Sequence, residues 1–137
     1  MVRVVIDTNV MVSALIANGK PRRLVARLLA HHSVVSSMEM LDELAEVLSR
    51  DKFALTQAQV NRYLSIYIGN CEVVTLRSKV RAVAEDPDDD VVLGTAANGN
   101  AGYIVTGDRH LLSLKVFGDT KIASVTEVMR ILSSAGT

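Results

Sequence analysis

Val2-Arg3-Val4-Val5-Ile6-Asp7-Thr8-Asn9-Val10 is the stretch that decides the fold. Val2, Val4, Val5 and Ile6, with no turn residue among them, predict a strand buried on both faces. The run stops at Asp7-Thr8-Asn9, three small polar residues, and the pattern beyond them turns helical. A carboxylate at the C-terminal lip of a buried strand faces the crevice where open α/β sheets place their ligands. Asp7 is therefore read as the first member of an acidic metal site, which the rest of the chain must complete.

Outward from that stretch, apolar runs and helical patterns alternate. Residues 10–17 predict a short helix, stopped by Asn18-Gly19, and Pro21 opens a second helix where its missing N–H costs nothing. Residues 33–36 predict a second strand. Ser37 caps a helix over residues 38–50, whose apolar side chains fill about half the circumference at about 100° per residue. On that wheel Glu39, Asp42 and Glu46 point outward, whereas Glu43 lies at the border beside Val47. Thr56 and Gln59 form a capping box, and Gly69-Asn70 ends the helix that follows. Residues 72–76 predict a third strand, with Arg77, Lys79 and Arg81 next on a turn and a weak helix. Asp86-Pro87-Asp88-Asp89-Asp90 interrupts the pattern before a small-residue helix over residues 91–98. Residues 103–106 predict a fourth strand ending at Gly107-Asp108, and Leu111, Leu112 and Leu114 a short helix behind it. Residues 121–123 predict a fifth strand, and Ser124 with Glu127 caps the last helix. The expectation is an α/β fold: a central, mostly parallel five-stranded sheet between layers of helices.

Composition sets bounds. The 137 residues suit one domain, read here as spanning residues 1–137. Lys plus Arg and Asp plus Glu are 15 each, so no global basic charge announces a nucleic acid, and a polyanion would need a local patch. Cys71 stands alone, which excludes an internal disulfide and reads as a small buried hydrophobe in a reducing cytoplasm. The opening run meets Asp7 too soon for a signal peptide, and no apolar stretch reaches about 18 residues, so no membrane partner is expected. Residues 133–137 read as a loose tail.

Acids recur at one structural address: Asp7 after strand one, Glu43 on the helix after strand two, Asp89 at a helix start, Asp108 after strand four. In a parallel sheet all strand C-termini lie on one edge. Converging carboxylates repel one another, and a hard cation such as Mg²⁺ or Mn²⁺, which prefers oxygen ligands and retains waters, relieves that repulsion. Such an ion lowers the pKa of its bound water and steadies a leaving oxygen, so the expected chemistry is phosphodiester hydrolysis. Residue type alone leaves a second reading open. Asp is a favoured N-cap, worth about 1 kcal/mol, so Asp7, Asp89 and Asp108 could each merely begin a helix. Glu43 could be a solvated helix residue, and the run from Asp86 to Asp90 an exposed loop.

The wording of the motifs adds to this. Val-Val-Ile-Asp-Thr-Asn-Val, with Asp7, resembles the opening of PIN-domain nucleases. Leu-Asp-Glu-Leu-Ala-Glu-Val-Leu-Ser-Arg, with Glu43, is similar to their second acidic motif. Asp-Pro-Asp-Asp-Asp-Val-Val-Leu-Gly-Thr-Ala and Ile-Val-Thr-Gly-Asp-Arg-His-Leu-Leu look like the third and fourth. Order and address agree from residue 2 to about residue 125, and the match is closest to the prokaryotic, VapC-like toxins of toxin–antitoxin pairs. The resemblance implies a three-layer α/β/α sandwich and a cytoplasmic, Mg²⁺- or Mn²⁺-dependent endoribonuclease acting on single-stranded RNA. It also implies an antitoxin protein as partner and a homodimer, for which the exposed side of the helix over residues 56–68 is a candidate surface. The family's acids carry over onto Asp7, Glu43, Asp89 and Asp108 as catalytic and metal-binding residues, with Asn9 and Thr106 supporting them. Where the subgroup usually has Asn this chain has Asp90, which adds charge or caps the helix. Ala96, seven residues beyond Asp89, favours Asp89 as the ligand.

For substrate contacts the candidates are Arg22, Arg23, Arg27, Arg50, Lys52, Arg109 and His110, with Arg109 favoured because it follows Asp108. Their alternative is a solvated, salt-bridged face. Aromatics are 4% of the chain and Trp is absent, so base-stacking platforms are not evident, and selectivity is expected from RNA shape. Two other functions compete. One is a catalytically silent RNA- or partner-binding module of the same fold. The other is a phosphoryl-handling domain using Asp7 as nucleophile, against which Asn9, standing where a second Asp would be wanted, counts.

Overall fold

The computed structural model describes residues 1–77 and 87–134. The expected weak helix with Lys79 and Arg81, the position of Asp86, and the last three residues of the tail lie outside the described residues. Strands β1 (Arg3–Ile6), β2 (Ser33–Ser37), β3 (Glu72–Val74), β4 (Tyr103–Val105), β5 (Val116–Phe117) and β6 (Thr120–Ala123) form one sheet. Its order is β3-β2-β1-β4-β6-β5. The first five strands in that order pair in parallel, and β5 alone runs antiparallel, against β6. The helices are α1 (Thr8–Ile16), α2 (Lys20–His31), α3 (Met38–Leu48), α4 (Gln57–Ile68), α5 (Pro87–Asn98), α6 (Arg109–Leu114) and α7 (Val125–Ser134).

The β-branched opening run builds the centre. Strand side chains alternate between faces, so Val4 and Ile6 join one apolar cluster and Val5 the other. The first cluster packs α1, α2, α3, α4 and α7 on one face through Leu24, Leu28, Leu44, Leu48 and Leu132, each almost fully buried. The second packs α5 and α6 on the opposite face through Leu93, Ala96 and Leu111. A layer of helices therefore covers each face, as the alternating pattern requires.

Four expectations change. The sheet has six strands rather than five, because Val116-Phe117 folds back on β6 through Gly118-Asp119. Gly118 has φ +59°, which a two-residue hairpin needs at its first central position. Helix α5 begins at Pro87, inside the acidic run, and not at residue 91. Proline at a helix's first position and acids in its first turn are both favourable there. Strand β3 stops at Val74, two residues early, and lies at the sheet edge with its side chains largely exposed. Ser133 and Ser134 belong to α7 and not to the tail.

Two contacts fix the strand entries. Arg3 donates to the Gly99 carbonyl and pairs with Glu72 at 2.7 Å, joining α5's end to β1 and β3. His32 accepts the Val2 N–H at Nδ1, 3.0 Å away, just before β1 and β2. Burial chiefly, then the positive N-terminus with Arg27 and His31, holds His32 below its ordinary value of 6.5. The unfolded chain thus binds this proton more readily, so His32 contributes stability above pH 6.5 that is lost as pH falls through the folded value. We expect the melting temperature to drop on acidification from neutral to about pH 5.5, and His32→Asn, which keeps an acceptor without titrating, to flatten that drop.

Candidate active site

The parallel pairing of β1 and β4 sets Ile6 beside Val105, so their next residues, Asp7 and Thr106, leave the same sheet edge together. Both are buried, at 6% and 0% exposure. The Thr106 hydroxyl donates to Asp7 Oδ2 at 2.6 Å and accepts the Asp108 N–H at 3.0 Å. One hydroxyl therefore sets the relative position of two acids 101 residues apart in sequence, read from positions 7 and 108. Asp7 Oδ1 accepts the Thr8 N–H at 2.8 Å, and Asn9 Nδ2 approaches Oδ2 at 3.3 Å. Asn9 Oδ1 takes the Gly107 N–H at 3.3 Å, tying the start of α1 to the loop after β4. Asp108 Oδ1 accepts the His110 N–H at 2.7 Å and so begins α6. For Asp7 and Asp108 the capping role and the cleft position coexist. Asp89 differs: it is the third residue of α5, inside the helix, and 4% exposed.

Asp7, Glu43, Asp89 and Asp108 line one open cleft of about 430 Å³. Glu43 reaches it from the half-buried border of α3, beside Val47. Thr8, Asn9 and Ser13 add polar lining, and Val12, Ile16, Val47 and Phe53 an apolar wall. Lys52 is the basic side chain among the lining residues. Asp90 and Arg109 are not among them; Asp90 is half-buried on α5 and Arg109 is exposed at the start of α6. Arg22 is engaged elsewhere, donating to the Ala14 and Leu15 carbonyls and so capping α1. Arg50 pairs with Glu46 at 3.5 Å.

The two helices that carry the more distant acids are braced against each other. Ser37 caps α3 six residues before Glu43, and Thr95 lies six residues after Asp89 on α5; their hydroxyls are 2.8 Å apart and buried. In the sequence Ser37 carries only the signal of a helix cap, and Thr95 carries none.

Lys52 and Phe53 sit on a single 3₁₀ turn, Asp51–Phe53, just past α3. Phe53 N–H donates to the Arg50 carbonyl at 3.1 Å and Ala54 N–H to the Asp51 carbonyl at 3.0 Å. Ala54 leaves the turn with φ 52°, an uncommon region for a residue with a side chain. The Lys52 ammonium lies 5.1 Å from the centre of the Phe53 ring. No sequence signal marks Phe53, since a three-residue turn has no periodicity to reveal which side chains it presents.

A hard divalent cation fits the donor set, which is carboxylate and amide oxygen with no thiol or imidazole among the cleft residues. Among the described residues no three acids, histidines or cysteines converge tightly enough to enclose an ion. An open site of this kind leaves coordination positions to water and substrate, as Mg²⁺ usually does. Cys71 lies outside the cleft, and burial pushes its thiol up to about 11, so it is protonated at neutral pH.

Comparison with known proteins agrees with this architecture. One chain of the VapBC2 structure from Rickettsia felis, bound to a DNA fragment from its promoter, superposes with a TM-score of 0.66 at 18% identity, covering 89% of this chain and 98% of that one. A chain of VapBC-1 from nontypeable Haemophilus influenzae superposes with a TM-score of 0.63 at 14% identity, covering 90% and 98%. At such identities the likeness is one of fold. No curated protein matches the sequence. The sequence itself matches the PIN domain over residues 3–110, a span that takes in β1, the acidic cleft and the start of α6. With its motifs, its sheet order and its cleft in accord, the chain belongs to the PIN domain family.

Proposed function

We propose that this protein is a metal-dependent endoribonuclease that hydrolyses phosphodiester bonds of single-stranded RNA. The observation that carries the reading is the gathering of Asp7, Glu43, Asp89 and Asp108, from four separate elements, along one cleft at the C-terminal edge of the sheet. These four are the residues that would hold Mg²⁺ or Mn²⁺, with Asp90 adding negative charge nearby. When bound, such a cation supplies a water of lowered pKa and stabilises charge on the phosphate.

The chain's own residues prepare the cleft for that work. Thr106 and Thr8 each direct a hydrogen bond at Asp7, one per carboxylate oxygen, so the carboxylate has a fixed orientation. Asn9 braces it and joins it to Gly107. Arg109, exposed directly after Asp108, is the proposed RNA contact outside the cleft lining. The apolar wall of Val12, Ile16 and Val47 limits water on one side.

The resemblance of the acidic motifs to those of VapC-like toxins supports a toxin of a toxin–antitoxin pair, acting in the cytoplasm and held by a protein antitoxin. The fold shared with chains of two VapBC structures is consistent with that partner. A homodimer completes the proposal, and Ile66 on α4, 53% exposed, is apolar surface that a second copy would cover. Among the described residues no helix is long and apolar enough to cross a membrane.

The test is cleavage of an end-labelled single-stranded RNA by purified protein. We expect internal cuts with Mn²⁺ or Mg²⁺, none with EDTA, and recovery when the ion is restored. RNA that is bound but intact under every metal would replace the nuclease with the silent binding module.

A further inference from the structure

A cleft lined by four carboxylates repels an RNA strand, and a divalent cation held by them would offset that repulsion only locally. The neighbouring phosphate needs a counter-charge of its own. Lys52 is the basic side chain that lines the cleft, and it is exposed. Among the described residues it has no salt bridge, whereas Arg3 is paired with Glu72, Arg50 with Glu46, and Arg22 is turned back on α1. Its ammonium rests over the Phe53 ring instead, at 5.1 Å. A cation–π contact at an exposed site is weaker than a charge-assisted hydrogen bond to phosphate. The ring therefore holds the ammonium at the mouth without competing for it. The closed 3₁₀ turn keeps both side chains there, and Phe53, half-buried against the main core, anchors the turn.

Resting on the nuclease reading, we propose that Lys52 is a substrate-binding residue, gripping the phosphate adjacent to the one cleaved. Phe53 is its positioning residue. The pair would make the 3₁₀ turn, which follows the helix carrying Glu43, a substrate-holding lip of the cleft.

The experiment combines kinetics and binding. In Mn²⁺-dependent cleavage, Lys52→Gln is expected to raise KM roughly tenfold with kcat little changed, and Lys52→Arg to restore most of the loss. Binding of a labelled single-stranded oligoribonucleotide is measured on the Asp7→Asn protein across monovalent salt. Adding Lys52→Gln should lower the slope of log affinity against log salt by about 0.7, the share of one phosphate contact. Lys121→Gln, on an exposed residue of β6, serves as the control and should leave both readouts unchanged. Phe53→Leu keeps an apolar anchor, and its folding is checked by melting. It should reproduce part of the Lys52→Gln effect and add nothing to it in the double variant. If cleavage proceeds and Lys52→Gln behaves like Lys121→Gln, the Lys52 proposal is overturned while the nuclease stands. If no cleavage occurs but the salt slope still falls with Lys52→Gln, the phosphate contact stands and the nuclease reading fails.

Discussion

Asp7→Asn is expected to lower kcat for RNA cleavage by at least about a hundredfold while leaving the protein folded. The substitution is nearly isosteric. The amide oxygen can still accept the Thr8 N–H, and the Thr106 hydroxyl can turn to accept from the amide nitrogen; of the hydrogen-bonded frame, the long 3.3 Å bond from Asn9 Nδ2 is the part that is lost. What is lost is negative charge at the buried acid that ends β1, part of the charge that would hold a cation in the cleft. Melting curves of the two proteins should be similar without metal. Stabilisation by added Mn²⁺, seen for the parent as a rise in melting temperature, should shrink in the variant. Unchanged cleavage would remove Asp7 from the site and the electrostatic account with it.

Thr106→Val should give the second-largest effect, for a different reason. It keeps shape and charge but removes the hydroxyl that donates to Asp7 and accepts from the Asp108 N–H. Supporting hydrogen bonds of this kind are worth about 10- to 100-fold in metal affinity or activity. Activity should fall by that range, and saturation should require more Mn²⁺. Stability should fall by about 1–3 kcal/mol, because a fully buried position loses both of its hydrogen bonds. Thr106→Ser keeps the hydroxyl and should recover most of both losses, which separates loss of the bridge from loss of packing.

Much of this site was legible because its acids sit where pattern and geometry coincide. Asp7 and Asp108 follow apolar runs, and parallel pairing sends both to one edge. Glu43 stood out on the helical wheel because it borders the buried stripe, and it is half-buried at the cleft. Asp89 was harder to place, since four acids in a stretch of five look like a solvated loop; the helix starting at Pro87 draws Asp89 inward and leaves Asp90 outside the cleft lining. Strand β5 has two residues, too few for an alternation to show, although Gly118-Asp119 between Phe117 and Thr120 carries the hairpin signal. Lys52 was one basic candidate among seven because sequence does not say which of them finds a cleft. Arg22, on the outer side of α2 by periodicity, reaches back to the last carbonyls of α1, a tertiary choice that no helical wheel contains.

The Ser37–Thr95 hydrogen bond has a direction. A threonine hydroxyl has one hydrogen, and Thr95 gives it to the Val91 carbonyl at 2.7 Å. The proton shared with Ser37 must then come from Ser37, which in turn accepts the Met40 N–H at 3.4 Å. The result is a one-way chain from the first turn of α3 to the backbone of α5, with each hydroxyl donating once and accepting once. Prising the two helices apart would strand buried polar atoms, at a cost of about 1–3 kcal/mol for each. The helices carrying Glu43 and Asp89 are thus tied to each other, and any accommodation of differently shaped RNAs falls to the exposed side chains at the mouth of the cleft rather than to movement between α3 and α5.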